Sequence, residues 1–126
     1  MSTTRQFLWA VRGAVTVDRD EATLVVAATE GLLTAILERN EVTPEEVVSI
    51  IFTSTPDLTS EFPAAAARRI GLADVPLLCA SEIAVPGALE RCVRVLLHVH
   101  TDRARAQLRH VYLGGARALR EDLTQE

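Results

Sequence analysis

Two arginines occupy stretches that alternate like β-strands, and each shares a strand face with apolar residues. Arg94, in the run from Arg91 to His100, projects beside Leu96; Arg12, in the run from Phe7 to Gly13, projects beside Leu8 and Ala10. A guanidinium is always charged, so on such a face it needs an anionic partner, either a carboxylate of the fold or a bound ligand. Two of them together suggest an anion site. Glu82 closes the stretch Pro76 to Ser81, at what reads as a strand end. A carboxylate there can accept a hydrogen bond from a ligand hydroxyl, serve as a general base, or pair with an arginine inside the fold. Tyr112 is the single tyrosine, with a hydroxyl able to donate to a carboxylate or to reach solvent.

Other reactive residue types form weaker patterns. His98 and His100 project from one strand face, as a two-histidine metal site requires, but no third ligand accompanies them, and a polar strand face is the simpler reading. Cys79 has no histidine placed by sequence to activate a thiolate, so it reads as a small packing or ligand-lining residue. Cys79 and Cys92 have no paired spacing, which argues against a zinc site or a disulfide framework and fits a reducing cytoplasm. Phe62, Pro63 and Ala64 read as an apolar wall or as a helix start packed on a core. Gly114-Gly115 lacks the pattern of a phosphate loop and reads as a turn.

The setting is that of a small acidic domain. With 126 residues the chain fits one domain, residues 1–126, able to bury roughly two thirds of its unfolded surface. A net charge of -4 and a pI near 5.4 argue against nucleic acid or an acidic membrane as partner. All 13 basic residues are arginine, which favours planar recognition of carboxylates, although coding bias would give the same result. A hydrophobic share of 48% and a mean hydropathy of +0.18 are high for this size and point to apolar surface buried between subunits. The N-terminal residues lack a leader-like apolar core, and no apolar run approaches the ~18 residues that would span a bilayer.

The elements that must hold these residues alternate in type. Residues 6–16 read as a strand. Asp18 to Asp20 offer an N-cap to a helix in which Leu24, Ala28, Leu32 and Ile36 recur at every fourth position, and Asn40 closes it. Thr43-Pro44-Glu45-Glu46 is a capping box with proline at the first helical position, starting a short turn before a strand from Val47 to Ser54. Ser60 is placed to cap a helix from Glu61 to Ile70, which carries four successive alanines and stops at Gly71. Pro76 to Glu82, Arg91 to His100 and Arg109 to Leu113 read as three further strands, with a turn at Val85-Pro86-Gly87. Strands with helices on one side give an α+β fold.

The segments Val11-Arg12-Gly13-Ala14, Ser54-Thr55-Pro56-Asp57-Leu58, Glu61-Phe62-Pro63-Ala64, Cys79-Ala80-Ser81-Glu82, Val85-Pro86-Gly87 and Arg109-His110-Val111-Tyr112-Leu113 follow one another over nearly the whole chain. In this order and spacing they resemble the monofunctional AroH-class chorismate mutases. The resemblance implies a homotrimeric, barrel-like α+β fold, with mixed sheets around a threefold axis, helices outside and active sites between subunits. It also implies conversion of chorismate to prephenate, a 3,3-sigmatropic Claisen rearrangement, in phenylalanine and tyrosine biosynthesis, without cofactor, metal or covalent intermediate. By matching motifs, Arg94 is expected to donate to the ether oxygen and touch a substrate carboxylate. Arg12 and Tyr112 are expected to hold the side-chain carboxylate, and Glu82, with Cys79 nearby, the ring hydroxyl. Phe62, Ala64, Leu77 and Leu78 are expected to line the pocket, with Arg68, Leu119 and Arg120 at its mouth or C-terminal flap.

Four positions depart from the usual pattern. Ala65 stands where a lysine is usual, Leu78 where a polar residue is usual, and Arg117 and Glu121 replace an apolar residue and a proline. Two rival readings fit the same residues. A deaminase on a similar trimeric fold would use Glu82 as a base toward water, and a non-catalytic module sensing an anionic metabolite would need the arginines for affinity alone. The joint presence of Arg12, Arg94 and Glu82 favours the mutase.

Overall fold

A computed structural model describes residues 6–120, with the side chain of Arg120 outside that description. Five strands form one mixed sheet: β1 (Phe7–Thr16), β2 (Val47–Ser54), β3 (Leu77–Ser81), β4 (Cys92–Thr101) and β5 (Val111–Leu113), in the spatial order β3-β2-β4-β1-β5. β4 runs antiparallel to both β1 and β2, while β3 and β5 lie parallel to β2 and β1 at the two edges. Helix α2 (Ala64–Arg69) is the crossover between the parallel neighbours β2 and β3, and helix α1 (Ala22–Arg39) leads from β1 to β2, which lie on the two sides of β4. The expected α+β class is the observed one.

Strand alternation divides the sheet into two unlike faces. Val11, Val15, Phe52, Val93, Val95, Leu97 and Val99 point toward α1 and belong to the buried core. A β-bulge between Val47 and Ser49 adds a residue to β2, which is why Val47 and Ile50 both reach that core although they are three apart. Against this face α1 lays Val25, Thr29, Leu32, Leu33 and Ile36, spaced as a helical stripe. The stripe expected from sequence was Leu24, Ala28, Leu32 and Ile36; Leu24 and Ala28 flank the core half-buried instead. Gly13 lets α1 approach, since a Cβ there would lie 2.7 Å from Cδ1 of Ile36.

Asn40, fully buried at the C-terminus of α1, ties the helix to the chain entering β5. Its Nδ2 donates to the carbonyl oxygens of Ile36 and Arg109, and its Oδ1 accepts from the Arg109 amide at 2.7 Å. Asn40→Leu would strand the amide and carbonyl of Arg109 at this junction, while the Ile36 carbonyl keeps the backbone amide of residue 40. We expect it to cost about 2–4 kcal/mol, read as a lowered urea midpoint with an unchanged m-value.

α2 is shorter than the helix expected from Glu61 to Ile70. Pro63, rather than Ser60, stands at its N-cap. The preceding loop is held from outside: both oxygens of the Asp20 carboxylate accept from the Thr59 amide, and Asp20 also accepts from the Thr59 hydroxyl and the Ser60 amide. Hydrogen bonds from Ser60, and then from Thr59, hold the Asp20 carboxyl below the ordinary carboxylate range. Asp20 therefore docks the loop rather than capping α1, whose N-cap is Glu21. Gly114–Arg120, expected to begin as a simple turn, winds into a 3-10 helix anchored by the Gly115 amide on Thr16 Oγ1 at 2.8 Å.

Candidate active site

The face of the sheet turned away from α1 carries the candidate residues, and the strand register arranges them in rows. One row crosses all five strands, as Ala80, Thr53, Arg94, Ala14 and Tyr112. The neighbouring row holds Leu78, Ile51, Leu96 and Arg12. Arg12 and Arg94 thus lie diagonally across the β1–β4 pair, within reach of one ligand. The alanines flanking Thr53 and Arg94 leave space above the sheet. The result is a cleft of about 300 Å³ lined by Arg12, Gly13, Ile51, Thr53, Arg94, Val95, Leu96 and Tyr112.

Glu82 reaches into this arrangement from just beyond β3. Its amide donates to the Ser54 carbonyl at 2.9 Å, continuing the β2–β3 ladder and fixing its direction. Its Oε2 accepts from the Thr53 hydroxyl at 2.6 Å and lies 3.1 Å from Arg94 Nε. The side chain of Glu82 is 18% exposed and that of Arg94 45% exposed, so one edge of the guanidinium is engaged while much of it faces the cleft. Of the roles open to Glu82, pairing with an arginine holds, and it coexists with a carboxylate beside the cleft.

The strand carrying Arg94 begins at a tight knot. Arg91 takes φ 48°, unusual for a residue with a side chain. Its amide donates to Asp57 Oδ2 at 3.0 Å and its Nε to the Val17 carbonyl at 3.1 Å. Thr55 Oγ1 accepts from the Cys92 amide at 3.0 Å and donates to Asp57 Oδ1. The Ser54-Thr55-Pro56-Asp57-Leu58 segment therefore fastens the end of β2 to the start of β4, two residues before Arg94. Cys92 is fully buried, and burial above all pushes its thiol up to about 11, with the Arg94 guanidinium pulling the other way. That thiol is structural rather than nucleophilic at neutral pH.

Arg12 donates its backbone amide to His110 Nδ1 at 2.9 Å, which fastens β1 to the chain entering β5. Tyr112 is buried, in a small cluster with Ala14, Cys92 and Ala116, against which Leu119 packs. Leu119 is thereby placed beside the site; the Arg120 side chain and Glu121 lie outside the described residues. His98 and His100 share the outer face as expected, and His98 Nδ1 lies 3.2 Å from Ser49 Oγ.

Other expected site residues are elsewhere in the chain. Leu78 stands on the Arg94 face and is 62% exposed, but the side chains of Leu77 and Cys79 turn the other way, onto the core. Cys79 is three residues from Glu82, an odd separation that in a strand means opposite faces. Cys79 is thus near Glu82 in the chain with its side chain packed on the core, one of the two roles open to it from sequence. Because the Glu82 amide points to β2, the alternate amides and carbonyls of Cys79 and Ser81 point to the open edge of β3, so its backbone is what Cys79 can offer a ligand there. Phe62, Ala64 and Arg68 sit at or just before α2, in the helical layer on the other side of the sheet. Ala64 is buried in the core, whereas Phe62 is 68% exposed. Within one chain they do not line the cleft with Arg94. Leu96, already placed beside Arg94 by strand alternation, lines it, and so do Thr53 and Ile51, which the sequence does not mark; their pairing with β4 across the sheet is what brings them there.

Among the described residues there is no group of three or more potential metal ligands, and no helix is long and apolar enough to cross a membrane. Residues 8–123 match the family model described as chorismate mutase type I. The chain is 50% identical over 114 residues to chorismate mutase AroH of Thermus thermophilus, covering 90% of this chain and 93% of that one. It is 44% identical over 115 residues to chorismate mutase AroH of Bacillus subtilis, covering 90% and 91%. A solved chorismate mutase from Clostridium thermocellum superposes with a TM-score of 0.86 at 47% identity, over 87% of this chain and 98% of that one.

Proposed function

The chain belongs to the type I chorismate mutase family, and on that premise we propose that it converts chorismate to prephenate by charge and shape, with no covalent step. The observation that carries this reading is the pairing of two arginines and one carboxylate above the open sheet face, with the Arg94 guanidinium steadied by Glu82 and partly free. Chorismate carries two carboxylates, an ether oxygen and a ring hydroxyl, and its rearrangement needs no proton transfer. As the ether carbon–oxygen bond breaks, negative charge grows on that oxygen. Arg94 donates to it, an interaction stronger in the transition state than in the bound substrate.

Arg12 and Tyr112 hold the side-chain carboxylate and keep the substrate in the compact conformer from which the new carbon–carbon bond forms. Glu82, with the free backbone edge of β3, receives the ring hydroxyl. Leu78 and Leu119 complete the wall on this side. The family assignment removes the ground for the deaminase and sensor alternatives.

One chain supplies half of such a site. The outer sheet face leaves Leu8 and Leu78 exposed and Ile51 and Leu96 half-buried, too much apolar surface for water. We take three copies to close these faces on one another, so that Phe62 and Arg68 of one chain meet Arg94 of the next. The two cysteines, neither in a disulfide, suit a reducing cytoplasm.

Differential binding gives the test. A stable bicyclic ether dicarboxylate shaped like the compact transition state is expected to inhibit competitively, with a Ki at least about 10² below the KM for chorismate. Inhibition no tighter than substrate binding would overturn the electrostatic and conformational account.

A further inference from the structure

Glu82 would be a poor ligand group if its carboxylate could rotate freely, because both oxygens would then compete for Arg94. We propose that Thr53 is a positioning residue that locks Glu82 and, through it, Arg94; the proposal rests on the mutase reading above. Thr53 stands directly opposite Arg94 in the β2–β4 register and opposite Ala80 in the β2–β3 register, at the middle of the row that crosses the cleft. Its hydroxyl donates to Glu82 Oε2 at 2.6 Å, the same oxygen that lies 3.1 Å from Arg94 Nε.

Two consequences follow from that shared oxygen. Oε2 is fully engaged, so Oε1 is the oxygen left for a ligand hydroxyl. Arg94 is held by its Nε edge, so the Nη groups are left for the ligand. A threonine in a strand has a restricted χ1, which gives its hydroxyl a fixed direction. The terminal torsion of a glutamate is broad, so the carboxylate has little orientation of its own. Without the Thr53 hydroxyl the carboxylate can turn and take Arg94 as a two-pronged pair, withdrawing Nη donors from the reacting ether.

Thr53→Val keeps the volume and deletes the donor. Expected is a fall in kcat of about tenfold, the size of one lost hydrogen bond to a charged group, with KM within about threefold of wild type. Thr53→Ser should recover kcat to within about threefold. In a Glu82→Ala background the Val substitution should cost less than about twofold, since the group through which Thr53 acts is gone. A second readout needs no turnover: the Arg94 Nε–H resonance in a 15N-labelled protein should shift in Thr53→Val and return in Thr53→Ser. Should Thr53→Val fail to fold, Thr53→Ala carries the same expectations.

An unmoved resonance, an unrescued Ser variant, or an equal loss in the Glu82→Ala background would overturn the proposal. If the resonance responds as expected but wild-type protein leaves chorismate unchanged, the positioning role stands and the mutase reading falls.

Discussion

Arg94→Ala is expected to lower kcat by about 10²–10³ or more, with a smaller change in KM. Removing one preorganised donor at a site of developing charge costs about that much in other enzymes, and here the donor is a full cation. The loss falls on kcat because the charge that Arg94 answers is small in bound chorismate and large when the ether bond is breaking. The variant should fold. Arg94 stands on the open face of β4, 45% exposed, while the core face of the same strand is made by Val93, Val95, Leu97 and Val99. The loss of Glu82's cationic partner is tolerable because the Thr53 hydroxyl still donates to that carboxylate. Steady-state kinetics beside a thermal melt separates the two effects. A loss of less than tenfold in a folded protein would mean that Arg94 is a binding group and no more.

The second large effect concerns who shares a site with whom. Arg68 lies on α2, on the far side of the sheet from Arg94 of its own chain, and is solvent-exposed. If it faces the substrate of a neighbouring chain, Arg68→Glu should repel a dicarboxylate and depress kcat/KM by about 10². Arg94→Ala should depress it at least as far. Mixed after unfolding and refolded together in equal amounts, the two variants should recover about a quarter of wild-type activity. In a closed ring with one site per interface, each site draws its two halves independently, and one pairing in four is intact. Recovery to no more than the mean of the separate variants would place the whole site within one chain. The mixed species should have a mass about three times the 13.7 kDa of the chain.

Much of the sheet was legible in the sequence because alternation is a local signal. β1, β2 and β4 fall within a residue of their expected bounds, and the capping box before β2 forms as a 3-10 turn at Pro44–Glu46. The bounds of α2 were not legible, since its entry is set by Asp20, nearly forty residues earlier, gripping Thr59 and Ser60. The offset of the α1 stripe has a similar cause. Which flank of an apolar helix is buried depends on the sheet it packs against. Gly13 admits Leu32 and Ile36, which both stripes share, and the rest of the sheet face selects Val25 and Thr29 over Leu24 and Ala28.

The site divides along the same line. Arg12 and Arg94 were visible because a cation alternating with apolar residues is conspicuous on a single strand. Glu82 was visible as a carboxylate at a strand end. Cys79 stands close to it in the chain, and the two-residue period of a strand already turns its side chain to the core. Thr53, by contrast, was invisible. Nothing near it in sequence marks it; only the β2–β4 register brings it opposite Arg94.

The most direct measurement is the rate at which chorismate loses its ultraviolet diene absorbance on addition of purified, chelator-treated protein, with the product identified as prephenate. The account predicts saturable turnover that survives removal of metals and needs no added cofactor. A folded protein that leaves chorismate unchanged under these conditions would contradict it.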